Sequence, residues 1–166
     1  MKAAVVKETS PGERRVALVP EAIGKLRPAG IDVLVESGAG DGAWLPDAAY
    51  ADAGASIVSA AEIYRTADVI LTVTRPSAEA VSELRKGQAV IGMLAPLADP
   101  ELAATLAAQG VTVISLDGLP RTLSRAQPMD ALTSQSNVAG YKAVPAAVIS
   151  NGKNRPNSLA ATSTAL

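Results

Sequence analysis

The chain has no cysteine and no histidine, so disulfides, thiolate nucleophiles and the commonest general base and metal ligand at neutral pH are all excluded. It also has no phenylalanine, its aromatic content is 2% and its formal net charge is -1. With few rings for base stacking and no basic field for phosphates, nucleic acid is not an expected partner. No apolar run approaches the ~18 residues of a membrane span, and Met1–Glu8 meets charge too early for a signal peptide. A cytosolic chain with no span of its own is expected, and docking on a membrane partner stays open. What is present is ordinary for a folded protein: 166 residues, 48% of them hydrophobic, supply one domain with a core.

Apolar runs alternate with helical patterns. Lys2–Val6, Ile31–Glu36, Asp68–Val73, Ala89–Leu94 and Val111–Leu116 read as strands, and Ile57–Val58 as a brief one. Helices are predicted from Pro20 to Arg27, from Pro46/Asp47 to near Gly54, over Ala60–Arg65, over Ser77–Arg85 and from Asp99-Pro100 to Gln109. Gly30 and Gly110 are placed to end the first and last of these. Strands buried on both faces and separated by helices predict an α/β fold, a Rossmann-like open parallel sheet with helices on both faces. Met129–Val144 has helical spacing that Pro145 interrupts, so residues 145–166 are read as a weakly structured tail after a domain at 1–144.

Three stretches are candidates for chemistry. Gly38-Ala39-Gly40-Asp41-Gly42-Ala43 formally matches a dinucleotide-binding glycine motif, but Trp44-Leu45-Pro46 intervenes before a helix can meet a pyrophosphate. A structural loop is the favoured reading there. Arg14 and Arg15, and Arg75, follow the first and third long strands, where an open parallel sheet binds ligands, and could hold a carboxylate, phosphate or carboxamide. Each is equally readable as a solvated surface cation. The densest set lies in Leu119–Tyr141, where Gln127, Asp130 and Thr133 recur every third residue after Arg121 and Arg125. If Pro128 opens a helix, they share a side of its first turns. Amide, carboxylate and guanidinium suit the orientation of a polar ligand better than nucleophilic attack, and hydride transfer needs chiefly orientation. The plain alternative is a capped helix start beside a polar loop.

The run Leu119-Pro120-Arg121, then Arg125-Ala126-Gln127-Pro128-Met129-Asp130-Ala131-Leu132-Thr133-Ser134-Gln135, continuing to Gly140-Tyr141-Lys142, resembles the signature loop and helix of NAD(P) transhydrogenase alpha subunits. Lys7-Glu8 with Gly12-Glu13-Arg14-Arg15-Val16-Ala17-Leu18 and Pro20-Glu21 resembles the N-terminal signature that this family shares with alanine dehydrogenases. The likeness spans roughly residues 1–144. It implies an NAD(H)-binding subunit that passes hydride directly to NADP(H) on a partner domain, while other components carry protons across the membrane. It further implies Arg121, Gln127, Asp130 and Thr133, the last in place of the usual serine, against the nicotinamide. The loop is one residue longer than the commonest form between Arg121 and Ser124, which leaves Arg125 as the alternative to Arg121.

The resemblance also implies a homodimer, cytoplasmic and peripheral to the membrane through NADP-binding and membrane components. In the family a separate NAD-binding Rossmann domain follows. No counterpart is legible in residues 145–166, so truncation and inactivity alone are expected. Alanine dehydrogenases rely on a lysine after the third long strand and a histidine at the next strand end. Here Thr74-Arg75 and Leu94-Ala95-Pro96-Leu97 occupy those regions, which disfavours deamination. A non-catalytic dimerising or interaction module is the second reading.

Overall fold

The computed structural model describes residues 1–153. They fall into two compact units that divide after Met129. The first contains β1 (Lys2–Val5), α1 (Pro20–Leu26), β2 (Asp32–Glu36), α2 (Asp47–Asp52), β3 (Ser56–Val58) and α3 (Ala60–Thr66). It continues with β4 (Val69–Leu71), α4 (Ala78–Glu83), β5 (Ala89–Gly92), α5 (Pro100–Ala108) and β6 (Thr112–Ser115). The second unit is built on α6 (Ala131–Lys153).

Local chemistry accounts for the helix boundaries. Pro20 and Pro100 occupy first-turn positions, where a missing N–H costs nothing. Ser59, Ser77 and Asp99 cap α3, α4 and α5 by accepting from the backbone N–H of Glu62, Ala80 and Leu102. Asp99 is thus the cap expected ahead of Pro100, and the start predicted at Ser77 is likewise a cap, one residue outside its helix. Gly30, with φ of 75°, closes a short 3₁₀ turn at Arg27–Ala29 after α1 in the left-handed conformation that glycine adopts without strain.

All six strands are parallel, in the order β3-β2-β1-β4-β5-β6. The chain starts in the middle, winds to one edge, crosses back and winds to the other. Right-handed crossovers then place helices of the two halves on opposite faces. The core divides accordingly. Val5, Val33 and Val35 pack with Ile23 of α1 and Tyr50 of α2 on one face. Ala4, Leu34, Ile70 and Val90 pack with Ile63 of α3, Val81 of α4 and Leu106 of α5 on the other. Alternate residues of each strand thus serve different layers, as the pleat requires, and the expected α/β fold with helices on both faces is observed.

Most element ends shift by one or two residues from the sequence reading, and two differences have a physical reason. The strand expected at Asp68–Val73 pairs as β4 over Val69–Leu71, and Thr72 donates to the Ile91 carbonyl at 3.0 Å just beyond it. α6 runs through Pro145 to Lys153 instead of stopping at Pro145. An interior proline removes one hydrogen bond and crowds the preceding turn at a cost of about 3 kcal/mol. The alanines on both sides, Ala139, Ala143, Ala146 and Ala147, are the strongest helix formers and favour continuation. The remainder of the expected tail, residues 154–166, lies outside the described residues.

The glycine-rich stretch is a packed corner. A side-chain carbon on Gly40 would sit 2.2 Å from the Leu45 carbonyl oxygen and 2.7 Å from the Tyr50 ring. Gly40→Ala should therefore lower stability by roughly 1–3 kcal/mol through overpacking. Gly30→Ala, with open space but a positive φ, should cost about 1–2 kcal/mol through backbone strain alone. Urea unfolding of the two variants checks this, with the additional expectation that trimming Leu45 does not rescue Gly40→Ala, because the 2.2 Å contact is with the Leu45 backbone carbonyl.

Candidate functional site

The carboxyl ends of β1 and β4 lie side by side at the place where the winding of the sheet reverses, the usual ligand crevice of an open α/β sheet. A carboxylate closes it. Glu8, just past β1, accepts at Oε1 from the Val73 N–H at 2.5 Å and the Thr72 hydroxyl at 3.0 Å. At Oε2 it accepts from the Thr74 N–H at 3.1 Å and the Thr74 hydroxyl at 2.5 Å. Ser10 adds a 3.0 Å hydrogen bond to the Thr74 hydroxyl. The neighbouring Lys7 donates its backbone N–H to Glu36 Oε2 at the end of β2, at 2.8 Å. The loop after β1 is thereby pinned to both flanking strands.

The arginines of this edge are paired within the chain. Arg15 forms a two-point salt bridge with Glu13, Nε to Oε1 at 2.8 Å and Nη2 to Oε2 at 2.5 Å. The hydrogen bonds from Arg15 hold the Glu13 carboxyl down at about 2, against the opposing effect of partial burial. Arg14 donates to the Gly42 carbonyl at 3.1 Å and stacks 4.8 Å above the Trp44 ring. Arg75, after β4, pairs with Asp99 at 3.0 Å, and Asp99 simultaneously caps α5. Two clefts adjoin Arg75. One, of about 880 Å³, is lined by Ser10, Thr74, Asp99, Thr105 and Gln109. The other, of about 560 Å³, is lined by Lys7, Glu8, Tyr64, Thr72 and Glu79.

A second carboxylate clamp stands at the ends of β5 and β6. Asp117 accepts from the Leu94 N–H at 3.2 Å and the Ala95 N–H at 2.8 Å, and also from the Ser115 hydroxyl. Burial alone would raise its pKa, but these hydrogen bonds outweigh it and the net shift is downward. Neither clamp was identified from the sequence. A carboxylate that binds backbone amides has no periodicity, and its one signal is an acid directly after an apolar strand, as in Lys7-Glu8 and Leu116-Asp117.

The predicted ligand-orienting residues divide between the two units. Arg121, Arg125 and Gln127 belong to the first, on a loop of successive turns in which Leu123 N–H donates to Pro120 O at 3.0 Å and Ala126 N–H to Leu123 O at 2.9 Å. All three side chains are exposed, while Ala126 is buried between them and anchors the loop. Pro128 lies in a 3₁₀ turn, Gln127–Met129, and does not open the long helix. α6 begins at Ala131 with Asp130 before it, whose carboxylate accepts from the Thr133 N–H at 2.9 Å. The structure therefore joins Asp130 to Thr133 through a helix cap, and the shared helical side expected for Gln127, Asp130 and Thr133 is not formed within one helix. The glycine stretch behaves as the structural loop that was favoured. Gly38 donates to Asp47 at 2.9 Å, and a 3₁₀ turn at Asp41–Ala43 takes the place where a phosphate-binding helix would open.

Residues 4–139 match the family model described as alanine dehydrogenase/PNT, N-terminal domain. The chain is 40% identical over 145 residues to the NAD(P) transhydrogenase subunit alpha of Cereibacter sphaeroides, covering 87% of this chain and 28% of that protein. It is 37% identical over 139 residues to the alanine dehydrogenase of Bacillus subtilis, covering 84% of this chain and 36% of that one. Its fold is similar to the crystal structure of transhydrogenase from Sinorhizobium meliloti, with a TM-score of 0.85, 43% identity, and coverage of 90% of this chain and 44% of that one. The chain thus spans less than half the length of each of these relatives.

The Glu13–Arg15 bridge sets a pH dependence. The folded pKa of Glu13, about 2, lies below its ordinary 4.5, so its contribution to stability is complete above pH 4.5 and is lost as the pH falls towards 2. Urea midpoints of the wild type and Glu13→Gln should differ at pH 7 and converge on acidification through that window. A constant gap would contradict the assignment.

Proposed function

The chain belongs to the alanine dehydrogenase/PNT N-terminal domain family, and from that membership we propose that it serves within the NAD(H)-binding alpha subunit of a proton-translocating NAD(P) transhydrogenase. The reaction is the direct movement of hydride from NADH to NADP⁺, the NADP(H) being held by a partner component. The observation that carries this reading is the Arg121–Thr133 segment in a chain that has no histidine, together with the identity to transhydrogenase alpha subunits. The alternative chemistry in the family, alanine deamination, is poorly served here. The end of β4 offers Thr74 engaged by Glu8 and Arg75 engaged by Asp99, and the end of β5 offers Leu94–Leu97.

The residues suit a nicotinamide chemically. A carboxamide needs one donor and one acceptor opposite it, and the exposed Gln127 amide supplies both. Arg121 adds a guanidinium donor, with Arg125 as its alternative; Asp130 and Thr133, at the start of α6, carry an acceptor and a hydroxyl of their own. The bound nicotinamides supply the hydride chemistry itself. The chain's part is to orient the ring and exclude misaligned approaches, which is where proximity effects are won. Because hydride leaves one C4 and arrives at another, no side chain has to accept or donate a proton, in keeping with a site free of histidine.

Among the described residues no helix is long and apolar enough to cross a membrane; attachment to its cytoplasmic side by way of partner components is part of the proposal. A homodimer is the assembly proposed. The packed glycine corner offers no helix N-terminus for a pyrophosphate, so the chain by itself is proposed to be inactive. A second reading, an interaction module without catalysis, draws on the exposure of Leu97 and Leu123 on neighbouring loops.

Replacing the corresponding segment of a transhydrogenase alpha subunit by residues 1–144 of this chain separates the readings. The hybrid should transfer hydride from NADH to an NADP⁺ analogue, and Gln127→Asn in it should lower turnover by roughly 10²-fold with assembly unchanged. Loss of assembly with that substitution would favour the interaction module, and full activity would refute the role of Gln127.

A further inference from the structure

We propose that Asp117 is the positioning residue for the loop carrying Arg121 and Gln127, holding that loop and the β5–α5 loop as one unit at the carboxyl edge of the sheet. Its functional meaning rests on the nicotinamide reading above, but the geometry does not.

Asp117 is the second residue after β6 and lies four positions before Arg121, at the root of the loop. Its two carboxylate oxygens reach away from its own strand. Oδ1 accepts from Leu94 N–H at 3.2 Å, and Oδ2 from Ala95 N–H at 2.8 Å. Ser115, at the end of β6, contributes from the same side, since its hydroxyl donates to Asp117 Oδ1 and accepts from Leu94 N–H at 3.3 Å. A Ser115–Asp117 pair from one loop thus grips two consecutive amides of the other.

The gripped turn is a costly one. Ala95 has φ of 47°, a left-handed conformation that strains any residue with a Cβ and persists only where the surroundings impose it. Charge-assisted acceptance from that amide and its neighbour is the imposing interaction. Beyond the clamp, the Ala95 carbonyl accepts from Ala98 and Asp99 N–H at 2.9 and 3.0 Å, so the strained residue also sets the start of α5, whose cap Asp99 holds Arg75. In the other direction Gly118 N–H turns back to the Ser115 carbonyl at 3.2 Å, and the chain proceeds to the buried Ala126. The Arg121 loop is consequently pinned at two points, Asp117 at its root and Ala126 before Gln127. Leu97 and Leu123, 97% and 56% exposed, project from the two joined loops. Removal of the carboxylate unpins the root, frees Ala95 to relax, and leaves the loop held at Ala126 alone.

The experiment is backbone amide hydrogen exchange, followed by NMR, on the full chain and its Asp117→Ala and Asp117→Asn variants. With Ala, exchange at Leu94 and Ala95 and through residues 118–125 should rise roughly tenfold or more, the equivalent of one lost charge-assisted hydrogen bond. Val5, Val35 and Val90 in the core should keep their protection. Asn retains one side-chain oxygen that can accept from Ala95 and should restore part of the protection in both loops together. Unchanged exchange at 118–125 would overturn the proposal by confining Asp117 to the β5–α5 turn. A uniform rise that includes the core strands in both variants would also overturn it, since Asp117 would then be a residue of the fold as a whole. If the Ala variant does not fold, the Asn variant carries the same comparison against wild type. No nucleotide enters the measurement, so its outcome is independent of whether the hybrid subunit transfers hydride.

Discussion

The Glu8 carboxylate spans the one seam of the sheet that the chain does not build consecutively. β1 and β4 are neighbours in space but are separated in sequence by two helix–strand excursions and a crossover, and their carboxyl ends carry the loops that shape the crevice. Three consecutive residues after β4, Thr72, Val73 and Thr74, donate to Glu8. Without such an acceptor, the Val73 and Thr74 N–H groups at a half-buried strand end would lack partners, each at a cost of about 1–3 kcal/mol. The interaction therefore fixes where Arg75 leaves the sheet, and through Arg75 it fixes the approach to Asp99 and α5.

The same device recurs one strand pair further along, where Asp117 binds the amides after β5. Parallel strands end in unpaired amides at their carboxyl edge, and side-chain carboxylates are efficient acceptors for them because two oxygens can take several donors at once. The carboxyl edge of the sheet is thus organised by acids, while Arg15 and Arg75 on it are paired with Glu13 and Asp99. An edge arranged in this way has little free charge for an amino-acid substrate, and the exposed Arg121–Gln127 loop supplies polar contacts beside it.

Much of the fold was legible because its signals are local. Val-, Ile- and Ala-rich runs gave the strands, and Pro20, Asp99-Pro100 and the glycines at 30 and 110 marked helix ends by well-understood chemistry. Alternation between two core faces follows from the strand pleat and needed only the topology. The departures came where one local rule competed with another. Pro145 should break a helix, yet its alanine-rich flanks carry α6 onward, and Pro128, a good first-turn residue, sits instead in a 3₁₀ turn ahead of the Asp130 cap. The clamps at Glu8 and Asp117 were illegible because they depend on which strands become neighbours. Of the candidate site, the residue types of the Arg121–Thr133 segment were readable, whereas their distribution over a loop and a separate helix was not.

In the function proposed above, this chain orients a nicotinamide through its loops but holds no complete dinucleotide, because the glycine corner that mimics a pyrophosphate motif is filled by its own packing. Calorimetric titration of the purified chain with NADH, and with NADPH for comparison, tests it most directly. Neither nucleotide should give saturable heat at concentrations up to about 1 mM, a weaker interaction than about -4 kcal/mol. Saturable binding of NADH with clear preference over NADPH would contradict it, and would mean that the loops bearing Arg15, Arg75 and Arg121–Gln127 form a dinucleotide site unaided.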